Sequence, residues 1–192
     1  MFCGNQAKNV PFAKYSGTPM QTALQAKFDR LEQQRQAYTS QLNSLTPAQQ
    51  AKKPAEDQWS AAQLYYHLWK VEQVVIQSIK DNMASDRKRR PISFNTRWRS
   101  FLLNMFLILP TKLKVPKVIG EMPETVNPME VEKNWQDTRN TLQQFLTDFP
   151  AELLDKEIFK HPRAGVISLG QTLDFLIEHA NHHKRQMKSL LP

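Results

Sequence analysis

His67 and the pair His179/His183 are the residues of this chain best suited to chemistry, because all three imidazoles fall on or beside apolar helix stripes that should face one core. At about 100° per residue, His179 and His183 lie about 40° apart on one helical face, one turn from each other, so two ring nitrogens can reach one ion. His67 occupies a stripe position on another helix and can supply a third nitrogen from across the core. A lone histidine on an apolar face is ordinarily a hydrogen-bonded core residue, and an i,i+4 histidine pair alone is a weak motif. Three together differ: burying them against one another is costly unless each nitrogen has a partner, and one divalent cation satisfies all three. His182 points about 100° away from His183, outward from the stripe, and reads as a surface residue or an outer neighbour of the site.

Such a set of neutral ligands leaves at least one coordination position open, the layout of a catalytic rather than a closed structural site. Zinc or nickel leads as the metal, with iron and manganese also compatible. A water at the open position can have its pKa lowered to about 7, so the reacting group would be that water, or else a substrate thiolate. No catalytic side chain is assigned. Gln63, Glu72 and Gln186 are candidates to accept from the other nitrogen of a ligating ring. Each also has an ordinary reading: Gln63 as a cap residue, Glu72 as a solvated helix position, Gln186 as a neighbour of the stripe. Asp174, five residues before His179 and about 140° around the helix, is set aside.

The elements that must position these groups are helical. Only 5 Gly and long Gln/Leu/Ala/Lys-rich stretches in 192 residues favour helices, and β-branched runs flanked by turn signals are nearly absent, so the chain reads as all-α. Four start signals recur: Thr18-Pro-Met-Gln21, Ser60-Ala-Ala-Gln63, Asn127-Pro-Met-Glu130 and Ser168-Leu-Gly-Gln171. Each pairs a capping side chain with a Gln or Glu three residues on, and Pro19 and Pro128 take the first helical position, where a missing N–H costs nothing. Trp59 with Leu64, and Val126 with Val131, have the spacing of hydrophobic staples.

Behind the caps run four stripes at bundle spacing. They are Leu24, Phe28, Leu31, Tyr38, Leu42, Leu45; Leu64, His67, Leu68, Val71, Val74, Val75, extended by Ile79; Val131, Trp135, Thr138, Leu142, Phe145, Phe149; and Leu169, Leu173, Leu176, Ala180, His183, Met187, Leu190. Arg35 interrupts the first and reads as a side chain snorkelling at its edge. Residues 46 to 58 and 150 to 167 read as loops. The second and third capped helices are separated by a long basic, Pro-rich crossover with room for a short extra helix around residues 93 to 109.

Composition narrows the functional classes. With 40% hydrophobic residues the chain suits one packed domain, read as residues 19 to 192, after an N-terminal arm over residues 1 to 18. The single Cys3 excludes an intramolecular disulfide framework and a thiolate cluster. Residues 1 to 20 lack a sustained apolar run, which favours the cytoplasm. Residues 101 to 109 (FLLNMFLIL) are too short to span a bilayer, so no transmembrane segment is expected. The formal charge of +8 and the cluster Arg87, Lys88, Arg89, Arg90, Arg97, Arg99, Lys112, Lys114 and Lys117 could meet an anionic partner, although no nucleic-acid recognition fold is legible.

The segment Trp59-Ser60-Ala-Ala-Gln63-Leu-Tyr-Tyr-His67-Leu68, with Glu72 beyond it, resembles one signature helix of the DinB/YfiT-like metalloenzymes. Ser168-Leu-Gly-Gln171…Glu178-His179-Ala-Asn-His182-His183-Lys-Arg-Gln186 resembles the other, and His161-Pro162-Arg-Ala-Gly165 is similar to the His-Pro-x-x-Gly connection common in that group. The resemblance covers residues 19 to 190; it departs from the pattern at Lys184-Arg185, where the family often has Arg-Gly. It implies a DinB-like four-helix bundle with a long crossover between the second and third main helices, and one divalent ion held by His67, His179 and His183. Members are often homodimers, and some are metal-dependent hydrolases or thiol-dependent transferases. The expected function is therefore a divalent-metal-dependent hydrolase or thiol S-transferase acting on a small molecule, such as a low-molecular-weight thiol. The alternative is a non-catalytic stress-response or binding module whose basic surface meets an anionic partner.

Overall fold

The structure is a computed structural model that describes residues 20–85, 88–93, 119–161 and 165–192. Helices α1 (Thr22–Asn43), α3 (Ala61–Ala84), α4 (Pro128–Thr147) and α5 (Leu169–Ser189) form the bundle, with a short α2 (Pro47–Ala51) between the first two. Helix α3 packs on α4 and α1 on α5, and further contacts join α1 to α3 and α4, and α3 to α5. The long stretch between α3 and α4 is the crossover expected from the sequence, and the fold is all-α in class.

Three of the four start signals operate. Ser60 and Ser168 form capping boxes with Gln63 and Gln171, and the Asn127 side chain accepts from the N–H groups of Met129 and Glu130. The first does not: α1 begins at Thr22, and Gln21 is its N-cap with extended backbone and no side-chain bond. Gln21 therefore cannot be the third helical residue of a box at Thr18, which lies outside the described residues. Met20 instead packs against the core just ahead of the first stripe residue, Leu24, so tertiary contact sets the start of this helix.

Neither expected loop is irregular throughout. Thr46 and Gln49 make a further capping box that starts α2. Within residues 150 to 167, a 3-10 turn (Ala151–Leu153) leads into strands β1 (Phe159–His161) and β2 (Gly165–Ile167), paired antiparallel with Phe159 opposite Ile167. Gly165 has φ +78°, a left-handed conformation that a side chain rarely adopts. Short strands of mixed composition escape a periodicity reading. The basic run is tied to this region: Glu157 N–H donates to Arg90 O at 2.8 Å and Ile92 N–H to Asp155 O at 2.9 Å. Arg89 caps the end of α3 by donating to the carbonyls of Asn82 and Met83. The proposed extra helix, the N-terminal arm, residues 101 to 109 and the cations Arg87, Arg97, Arg99, Lys112, Lys114 and Lys117 lie outside the described residues.

The apolar stripes build two clusters at opposite ends of the bundle. One contains Leu24, Phe28, Leu31, Val75, Ile79, Leu142, Phe145, Leu173 and Leu176. The other contains Tyr38, Leu42, Leu64, Tyr65, Leu68, Trp135, Ala180 and Met187. Each fully buried leucine contributes about 1.5–3 kcal/mol relative to exposure. A buried polar layer divides them. Arg139 donates from Nη2 to Glu72 Oε1 at 2.7 Å and to Leu31 O at 3.2 Å, while Trp135 Nε1 donates to Glu72 Oε2 at 2.8 Å. Glu32 pairs with Arg35 at 2.6 Å and approaches Arg139 Nε at 3.7 Å.

Two side chains depart from their sequence readings here. Arg35 is buried rather than snorkelling, because Glu32, one turn before it, neutralises it in place. In the third stripe Arg139 is 1% exposed, whereas Thr138 is half-buried and accepts from Trp69 Nε1 at 3.1 Å. Burial pushes the Glu72 carboxyl up, and Arg139 and Trp135 oppose that shift. Arg139 stays cationic, since a guanidinium is not deprotonated in proteins. Replacing Arg139 by Met leaves Glu72 buried without its counter-charge and should cost about 3–5 kcal/mol, whereas the double change Arg139→Met/Glu72→Leu should recover most of that loss. Urea denaturation of the wild type, the single and the double variant tests this, and equal destabilisation by single and double variants would refute it.

Candidate metal centre

Helix α3 delivers His67 and α5 delivers His179 and His183 to one point of the α3–α5 interface. The caps fix both helices in register: Ser60 starts α3 seven residues before His67, and Ser168 starts α5 eleven residues before His179. The ring centroids are 5.1 Å apart for His67/His179, 5.0 Å for His67/His183 and 4.8 Å for His179/His183. One nitrogen from each ring lies within 4.8 Å of the other two, so the group could hold a metal ion. His67 Nε2 and His179 Nε2 are 3.2 Å apart. Two imidazoles bound tetrahedrally at 2.0–2.1 Å would place their nitrogens about 3.3 Å apart, so this pair already has a chelating separation.

The surroundings keep the rings neutral. His67 is 4% and His183 9% exposed, and His179 is half-buried. Burial is the leading cause that lowers His67 to about 3, with the neighbouring imidazoles His183 and His182 adding to it. Burial also lowers His183 to about 4, against its hydrogen bond to Gln186 Oε1, which raises it. His179 is pushed well below its ordinary value by burial and then by His183 and His67. Neutral rings offer lone pairs, which a divalent cation requires.

Of the three candidates for holding the outer ring nitrogens, the structure places one on a histidine. Gln186 Oε1 lies 2.9 Å from His183 Nδ1. With the proton on Nδ1 donated to that oxygen, His183 Nε2 is free to face the cluster. Gln63 instead caps Ser60 through Oε1 and donates from Nε2 to Pro123 O at 2.8 Å, fastening the end of the crossover to α3. Glu72 is neither solvated nor on a histidine: about 140° around α3 from His67, it is turned to Trp135 and Arg139. Asp174 pairs with Lys27. His182 is half-buried, with its ring edge-on to His183 at 5.0 Å.

Two neighbours were not identified as parts of the site. The Trp59 ring lies 4.7 Å from His67 and 6.3 Å from His183, so a residue read as a helix staple also walls the histidines. It borders a shallow cavity with Tyr66, Ile119, Gly120, Glu121 and Met122. An indole directly before the cap of the histidine-bearing helix was the available signal, since a side chain there folds back over the first turns. Buried His161 packs edge-on against Phe175 at 4.5 Å, and Phe175 lies 5.9 Å from His179. That contact needs the hairpin, which periodicity did not reveal.

A family model described as the DinB superfamily matches residues 30–187. No curated protein matches the chain. Among the described residues, no helix is long and apolar enough to cross a membrane.

The histidine shifts set a pH dependence for the metal-free protein. Each folded-state value is lowered, so below the ordinary value of 6.5 the unfolded chain takes up protons that the folded chain refuses. Stability is therefore full above about pH 6.5 and declines towards pH 4, by up to about 1.4 kcal/mol per pH unit for each histidine. Urea midpoints of chelator-treated protein between pH 4 and 8 should show this fall, with a shallower one in His67→Phe. A flat profile through that window would contradict it.

Proposed function

The chain belongs to the DinB superfamily, and on that premise we propose that it is a divalent-metal enzyme acting on a small molecule, with His67, His179 and His183 as the metal ligands. The observation that carries the reading is the convergence of three neutral imidazoles, two buried and one half-buried, with a 3.2 Å Nε2–Nε2 approach. The donor set fits the ion: it is uncharged, borderline in softness, and suited to zinc or nickel. When bound, the ion supplies Lewis acidity that lowers the pKa of a protic group reaching its open position. The protein's part is to hold the donors. α5 fixes two ligands one turn apart, α3 brings the third across the interface, and Gln186 orients His183. Trp59 covers the His67 face and limits water there.

Hydrolysis of a small ester or amide and transfer of a small thiol both suit this arrangement, since each begins with deprotonation of a protic nucleophile. A homodimer and a cytoplasmic location belong to the same reading. The alternative is a non-catalytic binding module whose basic surface meets an anionic partner; Arg89, one of the cations of that surface, also caps α3.

Untagged protein should bind one divalent ion per chain by elemental analysis. His67→Ala, His179→Ala and His183→Ala should each lower metal affinity by at least about tenfold in chelator competition. Retention of wild-type metal content by all three variants would falsify the ligand assignment. A screen of thiol and ester substrates with the loaded protein then tests for turnover.

A further inference from the structure

We infer that the shallow cavity between Trp59 and the end of the crossover binds a methylated ammonium group, with Trp59 and Tyr66 as aromatic walls and Glu121 at the rim. The inference goes beyond the metal reading and does not rest on it. Ile119, Gly120 and Met122 complete the lining. Trp59 is shared with the histidine centre, its ring lying 4.7 Å from His67. The walls are fixed from both sides. The capping box at Ser60 sets Trp59 at the start of α3, and Tyr66 packs edge-on against Trp69 at 5.5 Å. Opposite them Ile119 is buried, Gly120 turns the chain with φ +81°, and the bond from Gln63 Nε2 to Pro123 O at 2.8 Å ties the residue after Met122 to α3.

The lining selects the ligand. Trp59, Tyr66 and Met122 are half-buried, so each keeps ring or thioether surface for a guest. Aromatic faces attract a cation most where its hydration is weak, which favours a methylated ammonium over a bare one. Local charge agrees: in a chain of net charge +8, residues 119 to 132 carry Glu121, Glu124, Glu130 and Glu132 and no Lys or Arg. Glu121 is exposed and, among the described residues, makes no ion pair. Lys70, one turn after Tyr66, is held elsewhere, with Nζ 2.8 Å from Gln73 Oε1 and 5.7 Å from the Trp69 ring. At about 50 Å³ the cavity takes a few water-sized groups, each needing about 10–15 Å³. The methyls of a trimethylammonium head fit that space, whereas a fused ring does not.

Choline and its neutral isostere 3,3-dimethyl-1-butanol, titrated calorimetrically into the full chain as purified, separate charge from shape. Choline should bind saturably, and about tenfold or more tightly than the isostere, since only the charge differs. Ethanolamine, which lacks the methyl groups, should bind more weakly than choline. Trp59→Leu and Tyr66→Leu should each weaken choline by about fivefold or more. Glu121→Gln, a change at an exposed position, should weaken it by about threefold and reduce its dependence on salt. Absence of saturable choline binding, equal affinity for choline and the isostere, ethanolamine binding as tightly as choline, or choline affinity unchanged by Glu121→Gln and by both Leu variants would each overturn the inference. The metal ligands are tested separately by metal content, so either reading can fail while the other stands.

Discussion

A polar side chain buried inside a helical bundle must find a partner side chain, on its own helix or on another, because most of the helical backbone has spent its own hydrogen-bonding groups. This protein meets that constraint in one layer across the bundle. On one side of α3, Glu72 turns to Arg139 and Trp135 of α4, with Glu32 and Arg35 of α1 close by. On another, His67 turns to His179 and His183 of α5. The apolar clusters at either end seal the layer from water, which makes the charge pairs effective and the imidazoles neutral.

The two halves of the layer are resolved differently. The Glu72–Arg139 pair closes on itself, leaving only Arg139 Nε and Nη1 without hydrogen bonds among the described residues. The histidine half stays open at one atom: His67 Nε2 and His179 Nε2 lie 3.2 Å apart, and among the described residues the buried His67 Nδ1 has no hydrogen-bond partner. A structural core would have been built with fewer polar atoms at lower cost. The unfinished half is where chemistry is to be sought, while the finished half holds α1, α3 and α4 in the positions that present it.

Much of this was legible from residue spacing. The caps at Ser60, Asn127 and Ser168 work through a side chain and a backbone group three residues apart, so local chemistry alone defines them. The stripes identified most of the core, and the i,i+4 step fixed His179 and His183 on one face. Arg139 was also within reach, since it stands four residues after Trp135 and three before Leu142, a charge at stripe spacing. What remained hidden were contacts between helices. Glu72 looks like any solvated glutamate until Arg139 is placed against it, and Gln63, Glu72 and Gln186 are equivalent candidates until the rotation of each helix is known. The short strands β1 and β2 give too few residues for a period to emerge.

By itself the sequence determined what depends on neighbours within about one helical turn: three of the main helix starts, the apolar faces, the histidine pair on α5 and the four-helix class. The tertiary structure alone decided which helix faces which, and with it three outcomes: Gln186 rather than Glu72 touches a histidine of the cluster, Trp59 walls His67, and Arg35 is buried. The physical reason is the reach of the interactions. Capping and amphipathicity act along the chain over three or four residues, whereas the partner of a buried nitrogen or carboxylate is set by helix packing, over separations of 63 residues for Trp135 and Glu72 and 112 for His67 and His179.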